Sequence, residues 1–341
     1  MDNPIIVSER NVPDNSSTVS EIGFVGSGIT AQDFFSWAQS LDVGSKETIV
    51  SYSRYITRFG EYLQDNGITR PTREDIIAYR DCLKQTKKPA TVFSYMTAVK
   101  LFFKWTEDQG VYPNVAKLVK NVNVPAGFKK DALTLNQIKE VLTGIDLSTI
   151  NGVRDYALIL LMVTTGLREV SVMQADIGDF ETKAFDDEDS TEVFYKDVLF
   201  YKSKGHDDKD LFVIVPPITK IAIEDYLEQR LANGGSTKTT DPLFTSLSNH
   251  NHEGRLTTRS IRRIVTNHFH DAELDLSRIS THSLRHTFAT INLKSGGTLE
   301  ETQKALGHKN INTTMLYNHA LTEANNPSAN RVADTIFGKN N

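Results

Sequence analysis

Apolar positions recur along the chain with two different periods, and the change of period divides it. From Ile29 to about Lys120 the period is helical: Ile49, Tyr52, Tyr55, Ile56, Phe59, Tyr62 and Leu63 return every three or four residues, as do Val92, Tyr95, Val99, Phe102 and Phe103. Such spacing gathers an apolar stripe on each helix, and the stripe has to be buried against a neighbour. Thr72 stands directly before Arg73-Glu74-Asp75-Ile76, where its hydroxyl can cap a helix start. The stretch predicts four helices packed as a compact all-helical domain over 29–121.

The run from Asn121 to Lys130 carries a proline, a glycine and a basic pair between two periodic regions, which predicts an interdomain linker over 122–132. A second domain begins near Leu133. Thr134 precedes Leu135-Asn136-Gln137 as a second capped helix start, and Arg154 to Thr165 reads as a largely buried helix ended by Gly166. The period then shortens. Val193–Phe200 and Leu211–Val215 are strand-like and flank Lys202-Ser203-Lys204-Gly205-His206-Asp207-Asp208, a hairpin turn. Across 177–200 the acidic run Asp186-Asp187-Glu188-Asp189 interrupts the pattern and leaves the strand count open. Helical spacing resumes after Pro216-Pro217. The fold class expected is mainly α with a small β-sheet: a helical domain, then an α+β domain over 133–325. Residues 1–28 lack periodic apolar positions and read as a flexible tail.

Composition narrows the classes. The 341 residues, 39% hydrophobic, suit two or three globular domains with ordinary cores. The longest apolar run, Ala157 to Val163, falls far short of the ~20 residues of a membrane span, and no basic-then-apolar leader opens the chain. A cytoplasmic protein with no membrane partner is the expectation. A formal charge of -5 speaks against a nucleic-acid partner, but the charge is uneven. Residues 29–121 hold thirteen Lys or Arg against ten Asp or Glu, whereas the first 28 residues hold one Arg against four acids. The single Cys82 can form no internal disulfide and reads as small core filler on a helix. The stretch Gly23–Gly28 has no preceding strand and no Lys-Ser/Thr ending, so it does not read as a nucleotide-binding loop.

Five residues carry candidate chemistry: Arg168 in Thr165-Gly166-Leu167-Arg168, His282 and Arg285 in Thr281-His282-Ser283-Leu284-Arg285-His286, His308 after Leu306-Gly307, and Tyr317. Two arginines can neutralise a pentacoordinate phosphate, two histidines can hydrogen-bond it or move protons, and a tyrosine can attack it. Singly, each has a plainer reading. Arg168 can cap the carbonyls of the helix before it. His282 and His286, four apart, can be read as a metal pair, but no Glu lies between them and no Cys or Asp cluster accompanies them, so no metal is expected.

Taken together, in this order and with Tyr317 nine residues after His308, the set resembles the tyrosine recombinases, the phage-type integrase family that includes the Xer proteins, Cre and lambda integrase. The likeness covers nearly everything after residue 28, with 29–121 similar to the family's core-binding domain and 133–325 to its catalytic domain. It implies that Arg168 and Arg285 clamp the scissile phosphate, a task suited to a planar, always-charged fork. It implies Tyr317 as nucleophile, leaving a 3′-phosphotyrosine, with no metal, cofactor or ATP. Lys204 is the implied general acid, with Lys202 its rival two residues away on the same face of an extended strand. His282 would assist proton transfer and His308 hydrogen-bond the phosphate.

Further implications concern partners. The resemblance implies a double-stranded DNA site and a homotetramer on it, passing through a Holliday junction. Arg259, Arg262 and Arg263, Arg54 and Arg58, and Lys100 and Lys104 are spaced to share helix faces and are candidate DNA contacts, though a solvated face explains such spacing too. The tail 326–341, with Arg331-Val332-Ala333-Asp334-Thr335-Ile336-Phe337, reads as a short helix that packs on its own domain or on a neighbouring protomer. Two departures stand out: Glu169 and Ser171 follow Arg168 where relatives place Ser-Glu two and three residues on, and Lys209 leads into Asp210-Leu211 where they show Lys-x-Arg. The alternatives are a type IB topoisomerase-like nicking-closing enzyme, or a DNA-binding accessory protein that has lost cleavage.

Overall fold

A computed structural model describes residues 31–41, 46–124, 130–186, 193–202, 208–307 and 315. The chain divides into two compact units, Met1–Ala126 and Gly127–Asn341. Helices α1 (Ala31–Ser40), α2 (Lys46–Asp65), α3 (Arg73–Thr86) and α4 (Pro89–Asp108) build the first. Thr72 forms the expected cap reciprocally, its hydroxyl accepting from the Asp75 amide while the Asp75 carboxylate accepts from the Thr72 amide at 2.7 Å. Pro89 opens α4 at a position where its missing N–H costs nothing. The predicted stripes meet in one aromatic-rich core, with Trp37 edge-on to Phe102 at 5.6 Å and Phe59 edge-on to Phe103 at 5.9 Å.

Cys82 is not core filler; it is exposed. The buried face of α3 runs through Ile76, Tyr79 and Leu83, and position 82 falls about 100° off that line.

In the second unit, α5 (Leu135–Thr143) starts with the capping box of Thr134 and Gln137. The apolar helix α6 (Ile150–Thr165) begins one turn earlier than its hydrophobic run, because the Thr149 hydroxyl accepts from the Gly152 amide at 3.1 Å. It also buries a charged pair. Arg154 donates to Asp155 at 2.6 Å and to the Thr245 carbonyl at 3.2 Å, and His268 lies 3.1 Å from the same carboxylate. After the short α7 (Glu169–Gln174) comes a three-stranded antiparallel sheet in the order β1 (Phe180–Asp186), β2 (Val193–Tyr201), β3 (Leu211–Ile214).

β2 and β3 are the two expected strands, with Tyr201 opposite Leu211 at the hairpin end. β1, the strand left open by the sequence, pairs along its whole length with β2, from Phe180 opposite Leu199 to Asp186 opposite Val193. None of its residues is fully buried, so pairing rather than burial makes it a strand. Helices α8 (Pro217–Ala232), α9 (Thr258–Asp271), α10 (Thr281–Lys294) and α11 (Leu299–Leu306) follow among the described residues. α6 runs through its core between α8 and α10, with Leu158, Ile159 and Leu161 wholly buried. Among the described residues no helix is long and apolar enough to cross a membrane.

Of the proposed linker, Lys130 and Asp131 are tied to the second unit: the Lys130 ammonium donates to the Ser277 carbonyl at 2.6 Å and the Asp131 amide to that of Arg278 at 2.8 Å. The 1–28 tail and the 326–341 segment lie outside the described residues, as do Asp187, Glu188 and Asp189 of the acidic run.

Candidate active site

Each motif resolves into a piece of helix-end chemistry. α6 stops at Gly166, whose φ of 67° and ψ of 14° are left-handed. A Cβ there would lie 2.7 Å from Phe288 Cδ1 and 2.8 Å from Leu306 Cδ2, so both the backbone turn and the packing demand glycine. Leu167 then points into the core at 3% exposure, and the chain re-emerges with Arg168 as the residue preceding α7. Leu306-Gly307 repeats the device. α11 is capped at its start by Thr298 and Glu301 and ends on Gly307 at φ 58° and ψ 42°.

Arg285 joins these two helix ends. Its side chain is 3% exposed, donating from one terminal nitrogen to the Gly166 carbonyl at 2.6 Å and from the other to the Leu306 carbonyl at 2.5 Å. Helix C-termini carry partial negative charge and unsatisfied carbonyls, so a buried cation is stable between two of them. The cation that meets the end of α6 is thus Arg285, not Arg168; among the described residues Arg168 makes no such bond. α10 places Arg285 by its own cap, Ser280 and Ser283 bonding reciprocally at its start.

His282, one turn before Arg285 on α10, stands edge-on to His286 with ring centroids 4.8 Å apart. It is accessible at the rim of the site, yet the neighbouring wall withdraws part of its hydration. That desolvation, reinforced by the positive charges of Arg285 and Arg168, holds its pKa below the ordinary 6.5, and Glu169 opposes the shift only in part. A neutral imidazole at neutral pH follows, which can accept a proton.

Arg168, His282 and Arg285 line one cleft of about 390 Å³ together with Glu169, Arg262 and Thr266. Its rim carries an ion pair the sequence did not reveal: the Arg262 guanidinium bonds the Glu169 carboxylate, with the Arg262 Nε at 2.8 Å. Glu169 is the acid that departs from the usual spacing, and its partner comes from α9, 93 residues away. The other departure has a partner set as well. At the base of the hairpin the Lys209 ammonium bonds Asp176 at 2.8 Å and also Asp179, while Arg255 bonds Asp176 from the far side and the Met173 carbonyl at 2.9 Å. Among the described residues no group of three or more His, Cys, Asp or Glu converges as a metal site.

Lys204, His308 and Tyr317 lie outside the described residues. Their flanks are in view. Tyr201 ends β2 and Lys202 follows it on the way to Lys204, and Gly307 immediately precedes His308. Of the candidate DNA contacts, Arg259, Arg262 and Arg263 are exposed on α9, and Arg54 and Arg58 on α2, where Arg54 stacks over Tyr55 and Arg58 pairs with Glu61 at 2.5 Å. Lys104 is exposed, whereas Lys100 is half-buried and donates to the Val119 carbonyl at 2.8 Å.

The phage integrase family model matches residues 131–324, and that family's N-terminal SAM-like domain matches residues 32–110. The chain belongs to the phage integrase family. This integrase is an enzyme of the tyrosine recombinase kind, acting in site-specific DNA recombination. It is 28% identical over 288 residues to the tyrosine recombinase XerC of Herpetosiphon aurantiacus, spanning 81% of this chain and 85% of that one. The integrase also shares its fold with the XerH site-specific recombinase bound to its difH substrate, at a TM-score of 0.62 and 22% identity over 81% of this chain and 78% of that one. A lambda integrase tetramer bound to a Holliday junction matches at a TM-score of 0.59 and 15% identity over 90% and 81% of the two chains.

Proposed function

We propose that this recombinase cuts and rejoins double-stranded DNA through Tyr317, with Arg168, Arg285, His282, His308 and Lys204 as its catalytic partners. The observation that carries the reading is the single cleft holding Arg168, His282 and Arg285, with Arg285 bonded to the ends of both helices whose next residues complete the motifs. The phenol oxygen of Tyr317 attacks phosphorus and passes its proton to His282, whose depressed pKa leaves it neutral and able to accept. The bond from phosphorus to the 5′-oxygen breaks, and Lys204 supplies the proton that makes the leaving group a hydroxyl. Arg168, Arg285 and His308 balance the extra negative charge of the pentacoordinate state. The 3′-phosphotyrosine stores the energy of the broken diester, so attack by an incoming 5′-hydroxyl reseals the strand with no ATP or metal.

Exchange between two duplexes takes four cleavages, which favours a homotetramer on DNA and a Holliday junction between the two rounds. In this reading residues 29–121 and 133–325 are core-binding and catalytic domains that each contact the duplex, and 326–341 reaches a neighbouring protomer. Exposed Arg54, Arg58, Lys104, Arg259, Arg262 and Arg263, with Lys100, serve as phosphate contacts that set affinity and register. The test is incubation of wild type and Tyr317→Phe with supercoiled and nicked DNA, including the sequence flanking the gene, then a denaturing quench and mass mapping. An adduct on the Tyr317 peptide that the variant lacks is expected. DNA binding without any adduct in the wild type would overturn the reading in favour of a non-catalytic DNA-binding protein.

A further inference from the structure

One titratable side chain stands beside the helix end that Arg285 binds and has no role in the reaction as described. Tyr201 ends β2, three residues before Lys204. Strand alternation turns it to the same side as Leu199, into the core of the second unit, and its exposure is 8%. Its hydroxyl lies 3.2 Å from the position that a Cβ on Gly307 would take, beside the residue that precedes His308. The charges of Arg285 and Arg168 both act on its phenol. Among the described residues the hydroxyl has no hydrogen-bond partner. Filling the core takes only the ring, as phenylalanine would show, so the hydroxyl beside the left-handed Gly307 is available to the site.

We infer that Tyr201 is a further catalytic residue of this enzyme, whose hydroxyl donates a hydrogen bond to a non-bridging oxygen of the phosphate gripped by Arg168 and Arg285. The inference rests on the phosphodiester chemistry proposed above. Burial raises the pKa of this phenol above its ordinary value against the pull of the two arginines, so it stays protonated and is suited to donating rather than attacking. It also gives a second reason for glycine at 307: besides the positive φ, a side chain there would press on the hydroxyl. Tyr201 brings to the phosphate a neutral donor that adds no further charge to a site already rich in arginine. A donor aimed at developing charge in a dry site is worth roughly 10- to 100-fold in rate.

The test uses full-length Tyr201→Phe, which keeps the ring and removes one oxygen. The probe is a nicked duplex built around the phosphodiester mapped from the wild-type adduct, as the all-oxygen form and as each of its two phosphorothioate diastereomers. Single-turnover adduct formation by Tyr201→Phe is expected to fall about 10- to 100-fold with DNA affinity unchanged. The penalty that sulfur imposes at one of the two non-bridging positions should vanish in the variant and persist at the other. Wild-type rates for Tyr201→Phe, or a uniform slowing with both sulfur penalties intact, would overturn the inference and leave the phenol a packing group. A wild-type adduct on the Tyr201 peptide would overturn it too, by making that side chain the nucleophile. Absence of any wild-type adduct is a separate result, against the Tyr317 chemistry itself.

Discussion

Gly166→Ala puts the helix-end geometry to a quantitative test. The residue sits at φ 67°, where a Cβ costs roughly 1–2 kcal/mol. That Cβ would also arrive 2.7 Å from Phe288 Cδ1 and 2.8 Å from Leu306 Cδ2, and relieving such overpacking costs about 1–3 kcal/mol. Lower entropy of the unfolded chain returns about 0.4–1 kcal/mol. The net expectation is a loss of roughly 1–5 kcal/mol, or a fall in Tm of about 2–4 °C per kcal/mol for a unit of this size. Urea titration of the full chain followed by circular dichroism measures it. Because Phe288 is the nearest obstacle, Phe288→Leu in the Gly166→Ala background should cost less than Phe288→Leu alone, the two sites being coupled. The Gly166 carbonyl is one of Arg285's two acceptors, so adduct formation should fall even where the variant remains folded. A stability loss below about 0.5 kcal/mol, or strict additivity with Phe288→Leu, would refute the account of why glycine ends this helix.

Four other outcomes follow from the same geometry. The His282 imidazole should titrate with a midpoint below 6.5 by NMR; because the folded state then binds fewer protons than the unfolded one, its contribution destabilises the fold as pH drops through 6.5 toward the folded midpoint, and a midpoint at or above 6.5 would contradict the electrostatics. Lys209→Met should cost about 1–3 kcal/mol in urea titration by removing the cation from Asp179 and leaving Asp176 to Arg255 alone, and Lys209→Arg should recover most of it. Arg262→Ala, at a side chain 60% exposed, should change stability by less than about 1 kcal/mol but make the dependence of log K on log salt shallower by about one for DNA binding, whereas an unchanged slope removes it from the phosphate contacts. Thr72→Ala should lower the stability of the first unit by about 1 kcal/mol through loss of the cap.

Much of the architecture was legible because it depends on local chemistry. The stripes of α2 and α4, the caps at Thr72 and Thr134, the stop at Gly166 and the pairing of β2 with β3 all follow from periodicity and from residues that only certain backbone positions accept. β1 was not legible, since a strand with no fully buried residue has no alternation to display. Cys82 was misjudged because residue type alone does not say which face of a helix is buried. The sequence by itself determined the helical and α+β units and the identity of the motif residues, since a guanidinium, an imidazole and a phenol have the same chemistry wherever they are placed. Only the tertiary structure decided their partners. Arg285 spans the ends of two helices reached 119 and 21 residues away, Glu169 meets Arg262 from 93 residues away, and the Tyr201 hydroxyl comes to rest beside Gly307. Contacts between positions so distant in the chain form only when packing brings the elements together, so no local pattern can encode them.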